Sequence, residues 1–353
     1  GAFPSACGKT STAMLPGQTI VGDDIAYLRK INGEIKAVNV EQGIFGIIQD
    51  VNPRDDELIY KALTTPREVI FSNVLVSDGR PYWLGMGMDP PDEGINYTGK
   101  WWKGKKDENG KEIPFANKNA RYTIRLNELE NADPALNDPN GVTVRGIIYG
   151  GRDSDTTPPV VESLTWEHGV FLGATIESET TAAIIGQEGV RRHDPMANLD
   201  FISVPIGKYL QSHFEFTKDL DVVPTIFTTN YFLKNAEGKY CNDIPDKKIW
   251  ILWADGRVNG EYEAIETPVG RIPKYEDLKE LFRKERDKDY TEKEYVEQFS
   301  IRIKKYLEKM DRMINIYSKI NVPEKFTKEL NDQIARLKEA QAKYGDVISP
   351  FDL

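Results

Sequence analysis

The sequence predicts a mixed α/β (α+β) protein with a phosphate-loop-like motif, a mixed sheet and a helical C-terminal segment. Three observations carry this expectation. Short β-rich runs alternate with Gly, Pro and Asn punctuation up to about Gly260, the text turns Lys- and Glu-rich with helical spacing from Pro273, and Gly8-Lys9-Thr10 stands near the start. The strand-like runs are 19–21, 68–76, 142–149, 170–176 and 248–253. Asn32-Gly33 and Asn109-Gly110 read as hairpin turns, because both residue types tolerate positive φ. The charged stretch 100–111 reads as an exposed excursion. Thr291 with Glu294 is a capping-box pattern, and Val296, Phe299, Ile303, Tyr306, Met310, Met313 and Tyr317 follow at the spacing of one helix. A second helix is expected from about Pro323, presenting Phe326, Leu330, Ile334 and Leu337. These stripes are read as packing against the parent domain, which divides the chain into a main domain, 1–272, and a helical segment, 273–353.

Composition excludes several classes. With 353 residues, 39% apolar and 29% charged, the chain is neither disordered nor fibrous. The net charge of −10 argues against nucleic acid as a partner, and no Lys/Arg run suits a membrane surface. An anionic ligand must therefore be held by a few local cations and backbone N–H groups. Cys7 and Cys241 lie in unrelated contexts, which fits a reducing cytoplasm rather than a disulfide framework. No stretch reaches the ~20 apolar residues of a membrane span.

In a phosphate loop the glycine admits close backbone approach, the lysine reaches the outer phosphates and the hydroxyl binds Mg²⁺. Gly8, Lys9 and Thr10 supply those parts, but the strict pattern asks for glycine where Phe3 stands. A strand-like Thr19-Ile20-Val21 then leads into Gly22-Asp23-Asp24, two adjacent carboxylates suited to hold a cation directly or through water. The bland alternative is a polar turn with one Asp capping a helix. A phosphate loop normally follows a strand, and so little precedes this one that the start reads as internal.

Ala2-Phe3-Pro4-Ser5-Ala6-Cys7-Gly8-Lys9-Thr10, followed by Val21-Gly22-Asp23-Asp24-Ile25-Ala26, closely resembles the GTP class of phosphoenolpyruvate carboxykinases. Cys7 separates it from the ATP class, whose loop is glycine-rich and cysteine-free. The resemblance continues through Asn119-Ala120-Arg121, Tyr149-Gly150-Gly151-Arg152, Trp166-Glu167-His168-Gly169, Ser178-Glu179-Thr180-Thr181-Ala182-Ala183, His193-Asp194-Pro195 and Asn230-Tyr231-Phe232. It implies a carboxykinase-like nucleotide-binding domain in which Ala6, Cys7, Gly8, Lys9, Thr10 and Ser11 cradle the phosphates, with Lys9 on the transferring group and Thr10 on the nucleotide's Mg²⁺. It further implies that Asp24 binds one separate Mn²⁺, with Asp23 as an outer or Mg²⁺ partner. Ser5, Asn119, Ala120 and Arg121 match substrate-contacting positions, and Arg121 with Arg152 the phosphate-clamping pair. Cys7 resembles a reactive cysteine whose pKa Lys9 and a helix N-terminus would lower. Residues 178–192 match a mobile lid, and Tyr231, Phe232 and Tyr240 a guanine pocket, with Asn242 or Asp246 completing base recognition. Without the resemblance these arginines read as surface cations and the aromatics as core. The three histidines, His168, His193 and His213, have no metal-ligand spacing.

The implied reaction converts oxaloacetate and GTP to phosphoenolpyruvate, GDP and CO₂, a gluconeogenic step, by an enzyme that is a monomer when intact. The N-terminal substrate domain and its metal-binding lysine and histidine are expected to be missing, leaving this polypeptide inactive alone. Two rivals are an ATP-using or HPr-kinase-like phosphoryl-transfer enzyme, which would prefer ATP over GTP, and a non-catalytic nucleotide-binding module.

Overall fold

A computed structural model describes residues 1–4, 7–180 and 189–353. The chain divides into two compact units: Gly1–Lys9, Lys30–Ile35 and Thr143–Leu353 form the first, and Thr10–Arg29 with Lys36–Val142 the second. The C-terminal helices belong to the first unit.

At the centre of the first unit is a five-stranded mixed sheet, in the order Gly146–Gly151, Thr225–Asn230, Val160–Glu162, Gly270–Ile272, Ile265–Thr267. The first two strands run parallel, with Gly151 opposite Asn230, and the remaining pairings are antiparallel. Buried Val160, Val161, Ile226 and Phe227 join Phe171, Trp250, Trp253, Phe282, Met313 and Phe326 in one core with helices of the C-terminal segment. The second unit is built on a three-stranded antiparallel sheet, Gly43–Ile47, Arg121–Arg125, Val69–Ser72, and a four-stranded one from 75 to 102. Its core holds Ile44, Ile48, Ile59, Trp83, Tyr122 and Ile124. Asn32 and Gly33 both take positive φ, 50° and 76°, as a two-residue Asn-Gly hairpin turn requires, whereas in the second turn Gly110 does, at 79°, and Asn109 does not.

Four expectations are corrected. Residues 170–176 are not a strand: they lie mostly in the helix Trp166–Ala174, whose N-cap Thr165 accepts from the His168 backbone N–H at 3.1 Å. Residues 248–253 belong to the helix Lys247–Asn259, entered through an Asp243/Asp246 capping box and ended by Gly260 in the left-handed region. A short Ile/Trp-rich run does not distinguish a buried helix from a strand, and only the flanking caps do. The run 19–21 contributes a single bridge, from Ile20 to Ala132. The long C-terminal helix is two helices, Glu292–Phe299 and Ile303–Tyr317. The chain leaves helical geometry at Ser300 (φ −60°, ψ 131°), and Ile301 pairs with Ile348 before the second helix starts. The capping box itself forms, with the Thr291 N–H donating to Glu294 at 2.9 Å. Within the charged excursion, Trp101 is buried and its indole N–H donates to the Ile113 carbonyl.

The helix Trp166–Ala174 lies on the sheet through two glycines. A Cβ on Gly169 would stand 2.5 Å from Ile226, and one on Gly173 2.7 Å from the Tyr149 ring. Gly169→Ala is therefore expected to destabilise the chain by about 1–3 kcal/mol through overpacking, measured as the urea midpoint, whereas Gly146→Ala serves as a control, since a Cβ there meets nothing closer than 3.6 Å. His168 is held neutral at the sheet's edge: its Nδ1 accepts from the Leu164 N–H at 3.0 Å, so Nε2 donates to Gln333 at 3.1 Å. Burial, aided by the Arg336 charge, lowers its pKa from 6.5 to about 4. Its contribution is thus complete above pH 6.5 and falls away toward pH 4, by about 3 kcal/mol in all. His168→Gln should flatten the loss of melting temperature over that interval by a corresponding amount.

Candidate functional site

In the first unit, the chain's opening residues lie along the parallel pair. The Ala2 N–H donates to the Ile148 carbonyl at 2.7 Å and the Gly150 N–H donates to Ala2 at 2.8 Å, a single parallel bridge where the sequence suggested that a strand was wanting. Phe3 fills the space over Gly150 and packs on Tyr231 at 6.0 Å between centroids. The Cys7 N–H turns back to Pro4 at 3.1 Å, and Gly8 takes φ 104°, a conformation that admits glycine and rarely a side chain. The helix Lys9–Ala13 follows. Ser5 and Ala6 lie outside the described residues.

Cys7 is 2% exposed, and its sulfur lies 3.6 Å from the Ser178 hydroxyl, which also accepts the Arg152 backbone N–H at 3.1 Å. The expectation of a lowered thiol pKa is overturned. Burial pushes the thiol up, and the opposing Ser178 hydrogen bond and Arg152 charge do not offset it. Cys7 is packed within the loop against Ser178.

Arg152 emerges one residue beyond Gly151, at the end of its strand, with its guanidinium 3.6 Å over the Phe232 ring centroid. Phe232 meets Tyr240 edge-on, at 6.3 Å and 71°, and Tyr231 lies 6.5 Å from Phe232. The rings are neighbours, but Phe232 and Tyr240 do not form a parallel sandwich, and Tyr240 is the exposed one. Asp246 is not available to read a base: it is fully buried, with Arg286 at 3.5 Å and Lys288 at 3.7 Å. Asn242 accepts from Gln298 at 3.3 Å.

Of the expected lid, residues 181–188 lie outside the described residues. Its flanks, Glu177–Glu179 and Arg191–His193, pair antiparallel, and there the fold holds a charge cluster that the sequence reading missed. Arg191 reaches Asp153 at 3.1 Å, Asp155 at 2.6 Å, Glu177 at 3.5 Å and Glu179 at 3.2 Å, and Arg312 clasps both Glu177 oxygens at 2.7 Å. Burial pushes the Asp155 carboxyl up, but Lys305 and Arg191 bring it down to about 2. The six residues are scattered from 153 to 312, so no local spacing announced them.

In the second unit, the Thr10 hydroxyl donates to Asp23 Oδ2 at 3.3 Å. Glu41 accepts the Asp24 and Ile25 N–H groups at 2.8 and 3.0 Å, which fixes the backbone of the carboxylate pair. Arg121 donates through Nε and Nη2 to Asn119 at 3.1 and 2.9 Å and lies over Phe45 at 5.4 Å, while Ala120 is buried. No group of three or more His, Cys, Asp or Glu side chains converges as a metal cluster among the described residues. No described helix is long and apolar enough to cross a membrane.

The profile of the phosphoenolpyruvate carboxykinase C-terminal P-loop domain matches residues 1–336. A phosphoenolpyruvate carboxykinase [GTP] of Pyrococcus abyssi is 54% identical over 100% of this chain and 57% of its own length. That of Sulfurisphaera tokodaii is 45% identical over 99% of this chain and 57% of its own. The Corynebacterium glutamicum enzyme is 38% identical over 78% of this chain and 46% of its own. The chain thus spans about half the length of these curated relatives. A match that runs almost unbroken from the cysteine-bearing loop into the last helix leaves one assignment: the chain belongs to the GTP-dependent phosphoenolpyruvate carboxykinase family, in its C-terminal P-loop domain.

Proposed function

We propose that this chain is the nucleotide-holding, phosphoryl-transferring part of an enzyme that converts oxaloacetate and GTP to phosphoenolpyruvate, GDP and CO₂. The observation that carries the reading is the Thr10–Asp23 contact, 3.3 Å, which directly follows the positive-φ Gly8 and Lys9. A hydroxyl beside carboxylates is an all-oxygen donor set, and it fits a hard divalent cation such as Mg²⁺ or Mn²⁺. Thr10 and Asp23 would hold the nucleotide's cation, and Asp24 would give one ligand to a second ion. A bound divalent cation would neutralise charge on the phosphates and on the developing enolate oxygen.

Each residue then has a physical task. Gly8 lets the backbone reach the phosphates, and the Lys9 ammonium offsets charge on the transferring group. Arg152 and Arg121 present planar forks to phosphate and carboxylate oxygens. The Phe232 face, with Tyr240 beside it, offers a stacking surface for the base. Asn119 holds the Arg121 fork in one orientation, which limits the entropy lost when substrate binds. Loss of CO₂ from oxaloacetate leaves an enolate, and its oxygen takes the γ-phosphoryl group as GDP departs. Cys7 takes no covalent part, since neither transferred group needs sulfur.

Calorimetric titration with Mg–GTP tests this. The chain is expected to bind it, and Lys9→Met and Asp23→Asn are each expected to weaken binding roughly ten- to a hundredfold, the worth of one charge-assisted interaction. Melting temperatures should stay near the parent's. Unchanged affinity in both variants would remove the reading.

A further inference from the structure

Arg152 and Phe232 leave the ends of two neighbouring parallel strands, and one buried side chain ties their backbones together. Asn230 closes the strand Thr225–Asn230, opposite Gly151 in the register, and is 1% exposed. Its Nδ2 donates to the carbonyls of Asp153 and Thr157, both at 2.7 Å. Its Oδ1 accepts the N–H of Asp153 at 3.2 Å and of Phe232 at 3.1 Å. Two carbonyls on one side and two N–H groups on the other fix which atom is nitrogen, and the four bonds use the amide's main donor and acceptor capacity. The same loop is closed from within, because the Asp153 carboxylate accepts from the Thr156 and Thr157 N–H groups and from the Thr157 hydroxyl at 2.7 Å. Arg152 therefore hangs from a loop that the Asn230 side chain ties directly to the Phe232 N–H, with one backbone bond further along, from the Lys234 N–H to the Ser154 carbonyl at 3.0 Å.

We propose that Asn230 is a positioning residue for nucleotide binding. It holds the arginine that faces the phosphates and the ring that faces the base in one frame, so that both act on a single nucleotide. The inference rests on the roles given to Arg152 and Phe232 above. It adds a residue that touches no ligand, chosen by its bonds rather than by its place in a motif. A ligand that spans both subsites gains from their fixed separation, and a ligand that fills only one does not. An aspartate of the same shape would turn a carboxylate oxygen toward the Asp153 and Thr157 carbonyls, replacing two bonds by repulsion.

The test compares Mg–GTP, guanosine and Mg–tripolyphosphate as probes on the parent chain, Asn230→Asp and Asn230→Ser, by calorimetry. Both variants are expected to lose about tenfold in Mg–GTP affinity while the two partial ligands change by less than about twofold. The proposal is overturned if Mg–GTP affinity stays within about twofold of the parent, or if all three probes weaken by one common factor, the mark of general loosening. A parent chain that does not bind Mg–GTP would instead defeat the preceding reading, and this one with it. Should either variant melt non-cooperatively, the decision passes to Arg152→Ala and Phe232→Leu. Their effects on Mg–GTP affinity must then be non-additive in a double-mutant cycle, and additivity overturns the proposal.

Discussion

The parallel pairing of Gly146–Gly151 with Thr225–Asn230 is the constraint from which the rest of the first unit follows. Parallel strands end on the same side, so their carboxyl ends deliver Arg152 and Phe232 as near neighbours, in the place where open α/β sheets collect ligands. The pairing also takes Ala2 against Tyr149, which brings the Gly8–Lys9 segment to that edge. Behind it, Gly169 and Gly173 let the helix Trp166–Ala174 lie directly against the Ile226 and Tyr149 side chains of the two strands. Phe171 and Val170, both at 0% exposure, lie in the same core. Fully burying side chains of that size contributes about 1.5–3 kcal/mol each.

Charge is handled locally rather than globally. A chain with net charge −10 repels nucleotides at long range, so affinity has to come from a few cations held in fixed geometry. The Arg191 cluster shows how the fold keeps its remaining charges out of that task. Arg191, Arg312 and Lys305 are matched to Asp153, Asp155, Glu177 and Glu179, with the buried Lys309 beside Glu177. A buried charge with an imperfect partner is costly, and a network spreads that cost over several bonds. The same Asp153 closes the loop that carries Arg152, so the charge network and Arg152 share one anchor.

Signals that act over a few residues were legible in the sequence. The Gly8-Lys9-Thr10 loop, the Thr291/Glu294 capping box and the Asn32-Gly33 turn each state their geometry within four residues, and the structure has the capping box and the turn. The helices Trp166–Ala174 and Lys247–Asn259 were mistaken for strands in part, because helices buried around much of their surface lose the amphipathic period. Cys7 was misjudged for a related reason. The sequence displays Lys9 nearby but not the burial that outweighs it. Asn230 and the Arg191 cluster were invisible as devices, since their partners lie up to 135 positions away (Glu177 to Arg312) and only the folded sheet brings them together.

The residues around Gly8, Lys9, Arg152 and Phe232 are proposed to accept one GTP molecule. A crystal structure of the chain grown with a non-hydrolysable GTP analogue and Mn²⁺ tests it most directly. Triphosphate density is expected against the Gly8–Lys9 backbone and guanine against the Phe232 ring, with an anomalous Mn²⁺ signal beside Thr10 and Asp23. Nucleotide bound elsewhere on the chain, with those residues untouched, would contradict it.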